Sequence, residues 1–498
     1  MKRLLSTLLV LMFGFGMAQT TVRIGLAEDP DILDPDLART YVGRIVFTSM
    51  CNKLFDITPN LEIVGQLATS YQVSADGLAL DLELRDGVTF HDGTVFDAEA
   101  VKYNISRSLT LPGSTRASEI SQVSSVEVTG PLSVRINLTQ PFSPLIAQFA
   151  DRAGMMISPT AAEAAGEQFG ANPVCSGPYK FVERVAQDRI VLEKFDAYWN
   201  ADAYSFDRVI FLPIPDTSVR LANLQSGDLD LIERPSPTDL GTMAADSSIA
   251  VASVPSLGYQ GITVNIANPV QHDTPLASDQ RVREAFELSL DRDVINNVVF
   301  DGQFMVGNQA VPPTSPWYTA SYPISQRDVE KAKALLTEAG YSGAVPVELM
   351  VSNSPDSIRV GEVIQAMAAE AGFNVTVRAT EFATALDLQD AGQYDAFQVG
   401  WSGRLDPDGN IHSFETCTGA LNQSGYCDPE VDKLLNDARA ASSTAERKAL
   451  YDEAALRYLP NRNIIYLYHT QLFFPHTTAL KGFVAFPDGM IRLQGVSF

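Results

Sequence analysis

The feature that most constrains this chain is a regular change of period between Val345 and Val399. Val345 to Val351 is apolar and partly alternating, which predicts a strand. Val360, Val363, Ile364, Met367 and Ala371 fall on one helical face, with Gly372 as the stop. Phe373, Val375 and Val377 alternate as a strand does. Phe382 to Ala391 reads as a short helix, and Tyr394 to Val399 as the next strand. Strands alternating with helices imply an α/β fold with a parallel sheet. Such sheets bind ligands beyond the carboxyl ends of their strands. The stretch Gly400-Trp401-Ser402-Gly403-Arg404-Leu405-Asp406-Pro407-Asp408-Gly409-Asn410 lies at one of these ends. It offers a large aromatic, a guanidinium, two carboxylates and glycines that let backbone approach a ligand. The competing reading is a polar loop with a Pro-Gly turn, and the stretch alone does not choose between them.

At 498 residues the chain exceeds one ordinary core, so it divides into two or three domains. Its net charge of −24 argues against nucleic acid or an anionic membrane as partner, because both need basic patches. Lys2 and Arg3 precede an apolar run from Leu4 to Met17, and Gly16-Met17-Ala18 ends in small residues. This pattern is a secretory signal peptide cut near Ala18, residues 1–18. The apolar run falls short of the roughly 20 residues a membrane span needs. No cysteine follows it, so the expectation is an exported protein without a lipid anchor. Four cysteines remain. An even count in an exported chain suggests disulfides, with Cys417 and Cys427 the natural pair and Cys51 left with Cys175. A tetracysteine zinc site is the alternative, without the Cys-x-x-Cys spacing it usually needs.

Organisation along the chain follows from turn spacing. Roughly Pro59 to Asn172 reads as an antiparallel meander carrying a helix or two, with tight turns at Arg85-Asp86-Gly87 and His91-Asp92-Gly93. Gly261 to Ile266 is an apolar strand and a candidate crossing between lobes. Ser325-x-x-Asp328 resembles a capping box before Val329, Ala332, Leu336 and Ala339. No Gly-x-Gly-x-x-Gly, P-loop, His-Glu-x-x-His or Gly-x-Ser-x-Gly element is present. The five histidines show no metal-site spacing. Asp406 and Asp408 could serve a glycosidase as a carboxylate pair, but such pairs arise readily in an acidic chain. The balance favours a binding protein over an enzyme, with no cofactor and no metal.

At this point several ordered stretches resemble one family. They are Leu67-Ala68-Thr69-Ser70-Tyr71, Leu84-Arg85-Asp86-Gly87-Val88-Thr89-Phe90-His91-Asp92-Gly93-Thr94, and Phe96 to Lys102. Ser176-Gly177-Pro178-Tyr179-Lys180, Leu224 to Asp230, Val282-Arg283-Glu284-Ala285 with Leu290-Asp291-Arg292, and Ala332 to Leu336 with Ala339-Gly340-Tyr341 continue the series. The chain resembles the family 5 extracellular solute-binding proteins of ABC importers, the dipeptide, oligopeptide and nickel group. The resemblance implies a two-lobed periplasmic clamp, class II-like (cluster C), with a β-rich subdomain inserted in the first lobe. Lobe I would comprise residues 19–58, 173–265 and 480–498, the insert 59–172, and lobe II 266–479. Crossings would fall near Gly261–Ala267 and Thr477–Phe483. The implied ligand is a di- to oligopeptide, delivered to the permease membrane subunits, with the ATPase subunits as indirect partners. The implied protein is a periplasmic monomer that does no chemistry. A non-peptide ligand, such as an amino-acid conjugate, a metal chelate or a saccharide, is the runner-up, and a secreted hydrolase is further off.

The family's ligand residues transfer unevenly. In dipeptide-binding relatives the loop similar to Gly400-Trp401-Ser402-Gly403 continues with an Asp that holds the peptide amine, whereas here Arg404 follows. Asp406 or Asp408 would then replace that carboxylate. Those relatives also carry an arginine where this chain has Asn353-Ser354-Pro355. Arg404 is therefore the expected grip on a ligand carboxylate, a bidentate role suited to guanidinium. The alternative is a structural pair with Asp406. Trp401 is expected to wall the pocket with Ser402 and Gly403 beside it, and Tyr41 and Tyr259 to face the cleft.

Overall fold

The segment from Val345 to Trp401 folds as its periodicity predicts. Strands Val345–Ser352 and Phe373–Thr380 pair in parallel, and Ala396–Trp401 joins the first of them in parallel on its other side. Helices Pro355–Glu370 and Phe382–Asp390 connect them. Ser354 caps the longer helix, its side chain accepting the backbone N–H of Ser357, and Pro355 follows at the first turn. The computed structural model describes residues 20–269 and 272–498, so the expected signal peptide at 1–18 lies outside the described residues. No helix among them is long and apolar enough to cross a membrane.

Two sheets define two lobes. The first has seven strands in the order Ile249–Pro255, Gln471–Thr477, Leu231–Ile232, Thr21–Leu26, Arg208–Pro213, Arg189–Lys194 and Tyr179–Val185. The second has six, in the order Met305–Val306, Ile464–His469, Tyr259–Val264, Ala396–Trp401, Val345–Ser352 and Phe373–Thr380. Each lobe closes its own core. Val22, Ile24, Phe47 and Phe211 are fully buried in the first, and Ile262, Phe286, Leu349 and Ile364 in the second.

Sheet membership moves the expected boundaries. Where a crossing is expected, at Gly261 to Ile266, the strand Tyr259–Val264 instead runs centrally in the second sheet. It pairs residue by residue with Ala396–Trp401, Tyr259 opposite Trp401. Gln471–Thr477, expected in lobe II, pairs along its full length with Ile249–Pro255 of lobe I. The crossings are thus Ser256-Leu257-Gly258 and Thr470. They are tied together: Ser256 N–H donates to the Thr470 carbonyl at 3.0 Å, and His469 Nδ1 lies 2.8 Å from the Gly258 carbonyl. A carbonyl only accepts, so Nδ1 carries the proton. Burial pushes this imidazole down to about 4, keeping it neutral.

Where an insert at residues 59–172 is expected, a separate sheet and core occupy a shorter stretch. Its four-stranded sheet runs Ala68–Val73, Ala79–Leu84, Ser133–Leu138, Val123–Gly130, all antiparallel. Its core begins at Leu54 and ends at Met156, whereas Ile157, Ala162 and Phe169 already pack in the lobe I core. Cys51, where the chain leaves lobe I, forms a disulfide with Cys175, which lies in the same lobe I core. Cys417 and Cys427 form the second, across the loop between helices Asp408–Glu415 and Pro429–Ala440. Four-cysteine zinc ligation is thereby replaced by two bridges. The Cys51–Cys175 bridge spans a sequence separation of 124 residues, so in the loop-entropy view it strongly restricts the unfolded chain. Replacing both with serine should lower unfolding stability by about 2–5 kcal/mol, read as an earlier urea midpoint for fluorescence of the insert and lobe I.

Candidate ligand-binding cleft

Between the lobes lies a cavity of about 680 Å³. Its aromatic wall comes from the antiparallel pair already described. Tyr259 and Trp401 stand opposite each other at the strand ends. Trp401 Nε1–H donates to Asn410 Oδ1 at 3.0 Å, its ring meets Phe414 edge-on at 5.0 Å, and the Arg404 guanidinium lies 4.2 Å over its face. Tyr259 packs edge-on against Phe414 and Tyr466. Glycine is required twice beneath this wall. A Cβ on Gly258 would sit 2.0 Å from the Trp401 carbonyl, and Gly403, at φ +79°, is pressed against Leu257.

Of the residues singled out from sequence, Tyr41, Tyr259, Trp401, Ser402 and Asp408 line the cavity, and Gly403, Arg404 and Asp406 stand behind it. The charged ones differ from expectation. Arg404, expected to grip a ligand, is buried with its Nε 2.9 Å from Asp151 and its Nη1 donating to the Gly403 carbonyl. It does not pair with Asp406 either. Asp406 takes both Nη groups of Arg447 at 2.9 and 2.6 Å, and Asp408 takes Nε and Nη2 of Arg439 at 2.6 and 3.0 Å. Both carboxylates proposed for a ligand amine are therefore already in bidentate pairs that pin the loop to the helices behind it. Ser402 Oγ accepts from Arg44 Nη1 at 3.0 Å, a contact from lobe II to lobe I. Tyr41 carries the Arg234 guanidinium 4.3 Å over its ring, and its hydroxyl donates to the Gly489 carbonyl.

Two charged groups were invisible in the sequence. One is arginine-rich: Arg44, Arg116, Arg152 and Arg404 are all buried around Asp151 and Glu119. Burial pushes the Asp151 carboxyl up, but Arg404 and Arg44 outweigh it and hold it well below the usual range. Arg152 is pushed well down, by burial first and then by Arg116 and Arg404. The other group is acidic: Glu28 and Glu233 flank Arg234 at 3.6 and 3.2 Å. Burial pushes the Glu28 carboxyl up to about 7 against the pull of Arg234. Arg234 sits at φ +46°, unusual for a non-glycine residue and held by Arg220, whose Nη2 donates to its carbonyl. Tyr41 belongs to the acidic group and Arg44 to the basic one. They lie three residues apart on helix Tyr41–Met50, so the groups adjoin on one helical face. Nothing in their local sequence marks them, because their partners come from distant segments.

Cross-lobe contacts close the cavity. Arg39 meets Asp387 at 2.8 Å and Asp390 at 2.5 Å, Ser236 Oγ lies 3.3 Å from Asp356, and Ser143 N–H donates to the Arg439 carbonyl at 2.9 Å. Among the described residues no group of three His, Cys, Asp or Glu side chains is placed to hold a metal ion.

Two outcomes follow for stability. Asp408→Ala leaves Arg439 buried without its carboxylate and should cost about 3–5 kcal/mol, while adding Arg439→Met should restore most of it in chemical unfolding. Behind Tyr259, Glu415 is fully buried, accepts from Asn463 Nδ2 at 2.8 Å and the Tyr466 hydroxyl at 3.2 Å, and is pushed up to about 7 by burial. Its folded value exceeds its unfolded one, so its contribution is complete below about pH 4.5 and is lost as pH rises through 7. Glu28 acts in the same direction. Below about pH 6.5 the depressed His469 acts in the opposite direction, so the test isolates the one group: against the parent, Glu415→Gln should gain melting temperature at pH 8 relative to pH 5.

The family model described as bacterial extracellular solute-binding proteins, family 5 Middle, matches residues 62–422. The glutathione-binding protein GsiB of Pectobacterium atrosepticum is 29% identical over 475 residues, covering 93% of this chain and 91% of that protein. The DppA periplasmic binding protein of Helicobacter pylori, solved in complex with the peptide STSA, superposes with a TM-score of 0.88 at 22% identity, over 96% of this chain and 98% of that one. The binding protein AgaA of A. tumefaciens R10, solved with agropinic acid, gives 0.88 at 25% identity over the same shares. The architecture is the two-lobed periplasmic-binding-protein clamp. With the family model matched over most of its length, this chain belongs to the bacterial extracellular solute-binding proteins of family 5.

Proposed function

We propose that this protein is the periplasmic receptor of an ABC importer and captures a small peptide or peptide-like amino-acid conjugate between its lobes. The observation that carries the reading is the adjoining pair of charged groups beside an aromatic wall. Glu28 and Glu233 suit a ligand ammonium, the arginines suit a carboxylate, and Tyr259 and Trp401 suit the apolar body between them. The similar proteins, which bind glutathione, the peptide STSA and agropinic acid, support the same class of solute. The protein acts as a monomer, without cofactor and without turnover of its ligand. Closure about the solute stabilises the form that docks on the permease, because a ligand shifts a clamp only by binding one state better. Of the residues singled out from sequence, Tyr41, Tyr259, Trp401 and Ser402 join these charged groups in touching the ligand, with Gly403, Arg404, Asp406 and Asp408 holding that wall in place.

Native mass spectrometry of the exported protein tests this. A co-purifying mass of a di- to pentapeptide, or of glutathione, is expected. A stoichiometric saccharide or metal chelate would overturn the peptide-class reading, and disappearance of a bound peptide into fragments would indicate a hydrolase. A short-peptide panel should contain members that add about 2.7 kcal/mol of stability at 100 times their dissociation constant.

A further inference from the structure

The arginine group carries more positive charge than its surroundings repay. Four guanidiniums, of Arg44, Arg116, Arg152 and Arg404, face two carboxylates, of Asp151 and Glu119. The adjacent charges close among themselves, since Lys53 and Arg492 pair with Asp56 and Asp488. The surplus is two positive charges in a buried region, a costly arrangement unless an anion completes it. The unsatisfied atoms point the same way. Arg152 is 2% exposed and donates from Nη1 to the Ala38 carbonyl at 2.6 Å, while its Nε has no partner. Arg404 Nη2 also has none, lying 3.8 Å from Glu119. Glu119 Oε2 is unpartnered too, an acceptor left for a ligand N–H. Arg116, Arg152, Glu119 and Gln148 all line the cavity, so the surplus faces the ligand space.

We infer that the cleft selects ligands bearing two carboxylates, the second completing the buried arginine group; this rests on reading the chain as a solute receptor. The chemistry is charge matching: one carboxylate balances the first excess guanidinium, and a second balances the other. The location adds a consequence. Arg116, Glu119, Gln148, Asp151 and Arg152 come from the insert, Arg44 from lobe I and Arg404 from lobe II. A dianionic ligand therefore neutralises charge contributed by all three bodies and draws them together. The insert becomes a specificity element of the site rather than an appendage.

Calorimetry with two isosteric pairs tests the inference: glutathione against its glycine amide, and Ala-Glu against Ala-Gln. The dicarboxylate of a pair should bind at least tenfold more tightly than its amide. Arg152→Met should erase that preference, and the empty variant should melt at the same temperature as the parent or higher, because repulsion with Arg116 and Arg404 is removed. Equal binding within both pairs would overturn the inference and leave the receptor reading standing. Failure of all four to bind would count against the receptor reading for these solutes. The charge claim would still be decided by the empty variant: if Arg152→Met melts several degrees lower or does not fold, Arg152 is structural and the inference fails.

Discussion

Everything in this molecule hangs on two short crossings that are bonded to each other. Ser256-Leu257-Gly258 and Thr470 carry the chain between the lobes, and the Ser256–Thr470 and His469–Gly258 hydrogen bonds make them one joint. The joint also places the site. Gly258 and Gly403 let the Trp401 loop rest directly on the crossing backbone, which sets Trp401 and Tyr259 in the wall of the cleft. A hinge of few residues absorbs the angular change of closure while both cores stay rigid. His469 stays neutral through the physiological range because it is desolvated.

Against that joint, electrostatics decides how the lobes meet. The ion pairs of the Trp401 loop, Asp406 with Arg447 and Asp408 with Arg439, are internal to lobe II and make it one stiff wall. The arginine side-chain contacts that cross the gap are of two kinds. Those of Arg39 with Asp387 and Asp390 are partly exposed, and contacts of that kind contribute little on their own. Those of Arg404 with Asp151 and Arg44 with Ser402 are buried and carry unbalanced charge. The second kind gives a ligand something to complete, and so gives binding leverage over closure.

Much of the fold was legible because its signals are local. The strand–helix alternation from Val345 to Trp401, the helix bearing Val360 and Ile364, and the turns of the insert depend on nearby residues, and they came out where their periodicity put them. The errors came from pairings between distant segments. Tyr259–Val264 is as apolar as a crossing strand, but only its register with Ala396–Trp401 says which sheet it joins. The return strand Gln471–Thr477 likewise reveals its lobe through Ile249–Pro255. The site followed the same rule. Aromatics at a strand end were readable, whereas the partner of Arg404 is Asp151, in another subdomain and without any sequence mark. Glu28, Arg116 and Arg152 were missed because each looks like an ordinary surface charge until the insert and lobes pack around it.

The central claim is that solute charge closes this clamp about its hinge. Small-angle X-ray scattering of the full exported chain, empty and with glutathione at calorimetrically verified saturation, tests it most directly. The account predicts a smaller radius of gyration in the bound state, with the empty protein distributed toward open forms. An unchanged radius at full occupancy would contradict it, leaving a binding site that the lobes do not close upon.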